Sequence, residues 1–119
     1  MPMKLQTKRI YDAVAEDDGY RVLIDRLWPR GLAKDEAQLD DWLKSVAPSD
    51  DLRQWFHDNP SCWAEFRNSY LAELKEHQDS CRELAEKAKS QQVTLLYASK
   101  DREHNNAVVL AQYLKMLAS

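Results

Sequence analysis

The sequence has only two glycines, Gly19 and Gly31, and they stand well apart. A phosphate-cradling P-loop or a dinucleotide fingerprint needs several glycines at short fixed spacing, so that backbone N–H groups can approach a phosphate; neither is encoded. Cysteine is equally scarce. Cys62 and Cys81 form neither a Cys-x-x-Cys redox pair nor a four-ligand metal pattern, and the expectation is two reduced, packed thiols. The three histidines are scattered, with no His-Glu-x-x-His or carboxylate-histidine cluster, so the sequence supports no metal site and no cofactor. No apolar run approaches the ~18 residues of a membrane span, and the first residues, Met-Pro-Met-Lys-Leu-Gln, lack the apolar stretch expected of a secretory signal. The expected location is the cytoplasm, away from membranes. Positive charge is in deficit too. At a net charge of -3 and a pI of about 5.6 there is no global field to draw a phosphate backbone. Nucleic-acid binding is therefore disfavoured, its one support being a basic stripe of Lys4, Lys8, Arg9, Arg21 and Arg26.

What remains is an ordinary globular composition, 44% hydrophobic and 31% charged over 119 residues. That length fits a single domain able to bury a core without disulfide or metal staples. Residues 4–11 read as a half-exposed strand, and the acidic stretch up to Gly19 as a surface turn. A strand follows at 20–26. Residues 34–38 suggest a short turn of helix and 40–45 a strand, although Leu39, Trp42, Leu43 and Val46 also fit helical spacing. Pro48 and Ser49 make a helix start, since the serine oxygen can accept from an orphan N–H. Leu52, Trp55 and Phe56 supply the buried side of that helix.

A second helix is predicted from Asn59 as N-cap with Pro60 at its first position. Trp63, Phe66, Tyr70, Leu74, His77, Cys81, Leu84 and Ala88 then recur at steps of three and four, one stripe of a long helix or of two abutting helices that break near Asp79. "VTLLYA" at 93–98 is apolar without alternation, as in a central strand covered on both faces. A closing helix over 103–118 presents Ala107, Leu110, Ala111, Leu114 and Leu117. The sum is a single α/β domain whose sheet, of about four strands, is at least partly parallel and is flanked by helices.

Two strands end in charge. The first runs out into Asp25, Arg26, Trp28 and Arg30, the second into "SKDREHNN". If both strands are parallel, the two groups meet at the carboxyl edge of the sheet, where ligands of open α/β folds bind. Arg26, Arg30 and Lys100 would then gather near the N-terminus of the last helix as an anion pocket for phosphate or carboxylate. Trp28 would wall it, because Pro29 ejects the chain from the sheet there, while Trp42, Trp55 and Trp63 belong to the core. Asp101 would orient Lys100 or His104, and Asn105 completes the group. His104 and Asp101 are the candidates for acid-base work, but without a nucleophile no reaction follows. His57 and His77 look structural.

At "RVLIDRLWPRG", "WLKSVAPSDDLRQWF" and "TLLYASKDREHNNAVVL" the sequence resembles the YeaO-like branch of the family called domain of unknown function 488. The resemblance spans nearly the whole chain and implies a small bacterial α/β protein; it brings no reaction with it. Other branches carry a pattern similar to L-L-C-A-E-K-D-x-x-x-C-H-R, and here Tyr97 takes the place of the first cysteine, with Asn105, Asn106 and Ala107 at the Cys-His-Arg. Lys100 and Asp101 match. The resemblance thus implies that thiol chemistry is absent while anion binding survives. The alternative is an interaction module, in which Trp28 and the helix faces bind a protein or a second copy of the chain.

Overall fold

The structure is a computed structural model that describes residues 3–118. In chain order its elements are β1 (Leu5–Arg9), β2 (Tyr20–Leu23), α1 (Lys34–Ala37), β3 (Asp41–Trp42), α2 (Asp50–Asp58), α3 (Trp63–Lys75), α4 (Gln78–Ser90), β4 (Val93–Tyr97) and α5 (Asn106–Ala118). The four strands form one sheet in the order β1-β4-β2-β3. Every pairing is parallel, with Leu5 and Tyr20 both in register with Val93, and Val22 with Asp41.

β4 is the central strand, and all five of its residues are buried. Val93, Leu95 and Tyr97 pack into the main core with Phe66, Tyr70 and Leu74 of α3, Cys81 and Leu84 of α4, and Leu110 and Leu114 of α5. Leu96 joins a smaller cluster on the opposite face with Ile10, Leu23 and Ala37, against which Trp28 and Trp42 lean. Cover on both faces is why the strand lacks polar alternation. The buried Thr94 hydroxyl donates to the carbonyl of Asp18 at 2.7 Å.

Beneath β2 lies a buried ionic knot. Asp18, 1% exposed, accepts from Lys8 Nζ at 2.8 Å and pairs with Arg21, itself 4% exposed. Burial pushes the Asp18 carboxyl up, but Lys8, the Ala15 N–H and Arg21 together hold it below its ordinary value. Arg9 donates to the carbonyls of Ala98 and Ser99. Lys8 and Arg21 are paired with Asp18 and Arg9 with backbone carbonyls, and β4 lies between β1 and β2, so these residues do not form one continuous basic stripe.

Several local expectations are corrected. β2 ends at Leu23 rather than 26, and β3 is only two residues long before a 3-10 turn at Lys44–Val46. Ser49 does cap α2, accepting from the Leu52 N–H at 3.2 Å. Asn59 does not start α3; its side chain donates to the Trp55 carbonyl and its N–H to Phe56, so it closes α2, and Pro60 falls in the following turn. Trp55 is 38% exposed, because Leu52 and Phe56 at i and i+4 take the packed side of this short helix. His77 is exposed in the turn where α3 gives way to α4, so the apolar stripe passes from Leu74 to Cys81 without it. The closing helix starts at Asn106, after a turn, rather than at 103. No described helix is long and apolar enough to cross a membrane.

Candidate functional site

Because β2 and β4 are parallel neighbours, their carboxyl ends open on the same edge. The Ile24 N–H still reaches the Leu96 carbonyl at 3.1 Å; the chain then leaves the sheet at Asp25. Asp25 is pinned where it leaves. Its Oδ2 accepts from the Ala98 N–H at 2.9 Å, just past the end of β4, and its Oδ1 accepts from Asn106 Nδ2 at 2.9 Å, at the start of α5. Its own carbonyl accepts from Trp42 Nε1 at 2.6 Å. One short carboxylate thereby joins three elements. Burial raises its pKa, and the bonds from Asn106 and Ala98 with the charge of Arg53 only partly offset this.

Around Asp25 opens a cleft of about 570 Å³, within the range of small-molecule sites. Trp28, Pro29, Pro48, Phe56, Pro60 and Phe66 give it apolar and aromatic walls, and Arg26, Arg30 and Arg53 bring three guanidinium groups. Arg26 Nε donates to the Pro48 carbonyl at 3.2 Å and stands 3.9 Å from Asp50. Arg53 Nε lies 3.8 Å from the same carboxylate, and both arginines remain partly open to solvent. Arg30 is exposed, its backbone carbonyl held by the Tyr11 hydroxyl at 2.8 Å. Trp28 is set by Nε1 donating to Leu32 at 2.7 Å and by edge contact with the Trp42 ring at 5.3 Å.

Of the residues singled out from the sequence, Arg26, Trp28, Arg30, Asp101, His104 and Asn105 all line this cleft. Lys100 is exposed and is not among the lining residues. Asp101 turns its Oδ1 to the N–H groups of Glu103 and His104, both at 2.9 Å, and these bonds lower its pKa. Its Oδ2 is 3.6 Å from His104 Nδ1, and the His104 ring packs on Trp63 with centroids 4.9 Å apart. Asn105 is a scaffold residue: 3% exposed, it accepts from the Val108 N–H at 3.0 Å and so caps α5. Asn106 anchors Asp25, Ala107 is buried core, and Tyr97 is 2% exposed with its hydroxyl pKa raised by burial.

The sequence reading left out α2. Arg53, Phe56 and His57 all face the cleft. Their spacing of three and four was the available signal, obscured because the face mixes charge with an aromatic ring. In the sequence Asp25 reads only as part of a charged strand end. Among the described residues no group of three or more His, Cys, Asp or Glu could hold a metal ion.

A family model described as the inactive DUF488-N3 subclade matches residues 4–118. The chain is 48% identical over 115 residues to "Uncharacterized protein YeaO" of Escherichia coli (strain K12), covering 97% of this chain and 100% of that one. It is 38% identical over 111 residues to "Uncharacterized protein Mb3100c" of Mycobacterium bovis, covering 93% of each. No solved structure matches.

Proposed function

The chain belongs to the inactive DUF488-N3 subclade, and from that premise we propose that it is a cytoplasmic binding protein that holds a small phosphorylated or carboxylated molecule in this cleft without transforming it. The observation that carries the reading is the meeting of Arg26, Arg30 and Arg53 on one apolar, aromatic cleft at the carboxyl ends of parallel strands. Guanidinium groups match carboxylate and phosphate oxygens in pairs, and aromatic walls supply contact area for a ligand body. The absence of chemistry is supported by the uses to which the strand end and helix start are put. Asn105 caps, Asn106 anchors and Ala107 packs, at the positions where the wider family's pattern has Cys-His-Arg.

The test is a thermal-shift screen of anionic and neutral metabolites against wild type and an Arg26→Ala/Arg53→Ala variant. An anion at ~100 times its Kd should add about 2.7 kcal/mol to wild type, a rise on the order of 10 °C. The variant should shift little, and neutral analogues should shift neither protein. Equal shifts in both proteins, or none from any anion, would sink the reading.

A further inference from the structure

Asp25 carries a charge in the cleft that the binding of an anion does not use. Asp25 lines it, among Trp28, Phe56 and Phe66, and takes one hydrogen bond on each oxygen, both from neutral amides. Among the described residues no lysine or arginine comes within ion-pair distance of it. A carboxylate offers about four acceptor positions, so capacity remains on both oxygens. Sequestering such a group without a cation is costly, and the fold nonetheless orients it from two directions and holds its carbonyl from a third.

Resting on the reading above, we infer that Asp25 determines specificity by accepting a hydrogen bond from an N–H group of the ligand whose anionic end lies against Arg26, Arg30 and Arg53. The ligand class is then a ring-bearing anion with an amine or ring N–H remote from its charge. Each part has its counterpart: the ring meets the aromatic walls, the anion meets the guanidinium groups, and the donor meets Asp25. A ligand with an anionic end alone would cover Asp25 and give it nothing. The raised pKa of Asp25 agrees with this vacancy of positive partners, because a ligand donor would stabilise the ionised form that burial disfavours.

The probes are benzoate, para-aminobenzoate and para-methylbenzoate, titrated by NMR into the wild type; the methyl group matches the amine in size and lacks its donor. At neutral pH the amine should bind about 10- to 100-fold more tightly than the methyl compound, as for a hydrogen bond to a charged group. In Asp25→Asn that preference should fall to within about twofold, since the variant's amide offers a weaker acceptor. The same preference, measured in wild type alone with the sulfonate counterparts of the amine and methyl probes, which stay ionised in acid, should shrink as acid protonates Asp25, so the outcome does not depend on how the variant folds. Equal affinity for amine and methyl compounds in wild type overturns the inference and leaves the anion site standing. Failure of all three benzoates to bind removes the anion site as well.

Discussion

The side-chain amide of Asn106 stands 2.9 Å from Oδ1 of Asp25 and 3.0 Å from the carbonyl of Ile24, so one Nδ2 group ties the first residue of α5 to the exit of β2. Asn106→Ala leaves both acceptors without their donor and should cost about 1–3 kcal/mol in urea denaturation. Asn106→Asp should cost more, and its deficit should widen as pH rises and two facing carboxylates ionise. A loss below about 0.5 kcal/mol for the alanine variant would show that the tie is idle.

Asp25 has a folded pKa above its ordinary 3.8 because burial disfavours its charge. Between 3.8 and that raised value the native state holds more proton than the unfolded state, so this residue's contribution declines as pH climbs through the window. Asp25→Asn has no such titration. Stability curves of the two proteins from acid to neutral pH should converge or cross in the variant's favour as pH rises; a constant offset would contradict this.

Asp50 sits 3.9 Å from Arg26 and 3.8 Å from Arg53 and competes with any ligand for them. Asp50→Asn should tighten anion binding about 2- to 5-fold, with the gain fading at high salt, since an exposed carboxylate acts through a screened field. Calorimetric titration at low and high ionic strength reads both effects. Weaker binding would mean that Asp50 positions the arginines rather than opposing the ligand.

Arg102 grips Asp12 through both terminal guanidinium nitrogens, at 2.8 and 2.9 Å, and latches the loop after β4 to the turn after β1. That hydrogen bonding brings the Asp12 carboxyl down to about 2. Its stabilisation is complete above the ordinary 3.8 and is lost as pH falls from there through about 2. In Arg102→Gln, an NMR titration should find the Asp12 pKa moved back towards the ordinary value.

The two glycines should respond differently to alanine. Both have positive φ, 65° at Gly19 and 72° at Gly31, a region that favours glycine, so a side chain at either incurs backbone strain. At Gly19 a Cβ would also fall 2.3 Å from the carbonyl oxygen of Gln92, which accepts the Tyr20 N–H at 2.8 Å where β2 meets β4; at Gly31 nothing lies within 4 Å. Gly19→Ala should therefore lose at least about 2 kcal/mol more than Gly31→Ala in thermal or urea unfolding.

The legible parts of the sequence were those with a local cause. Val93 to Tyr97 has no polar alternation because both its faces are covered, and Ser49 sits where an orphan N–H needs an oxygen; both features stand in consecutive residues. The two charged strand ends were also readable, and parallel pairing brought them to one edge. Asp25 was not readable as an anchor, because a carboxylate after an apolar run looks the same whether it meets solvent or an N–H of a distant strand. Asn59 and Pro60 fit the start of a helix as well as the end of one, and only the bond to Trp55 decides. The spacing of Arg53, Phe56 and His57 puts them on one face of α2, but that this face meets the cleft depends on where the helix lies against α3.

The placing of β4 between β1 and β2 bears on how the molecule comes to exist. Gln6 and Thr94, hydrogen-bonded at 2.9 Å, are 88 residues apart along the chain, and the pairing of β2 with β4 likewise joins segments distant in sequence. Until residues 93–97 arrive, the two earlier strands have no partner between them and expose unpaired edges. Contacts this distant make for slow folding, and the interval is the one in which association with other chains competes. The cleft inherits the same delay: Asp25 has no Ala98 or Asn106 to meet before the central strand is in place, so the ability to bind should be among the last properties the nascent molecule acquires.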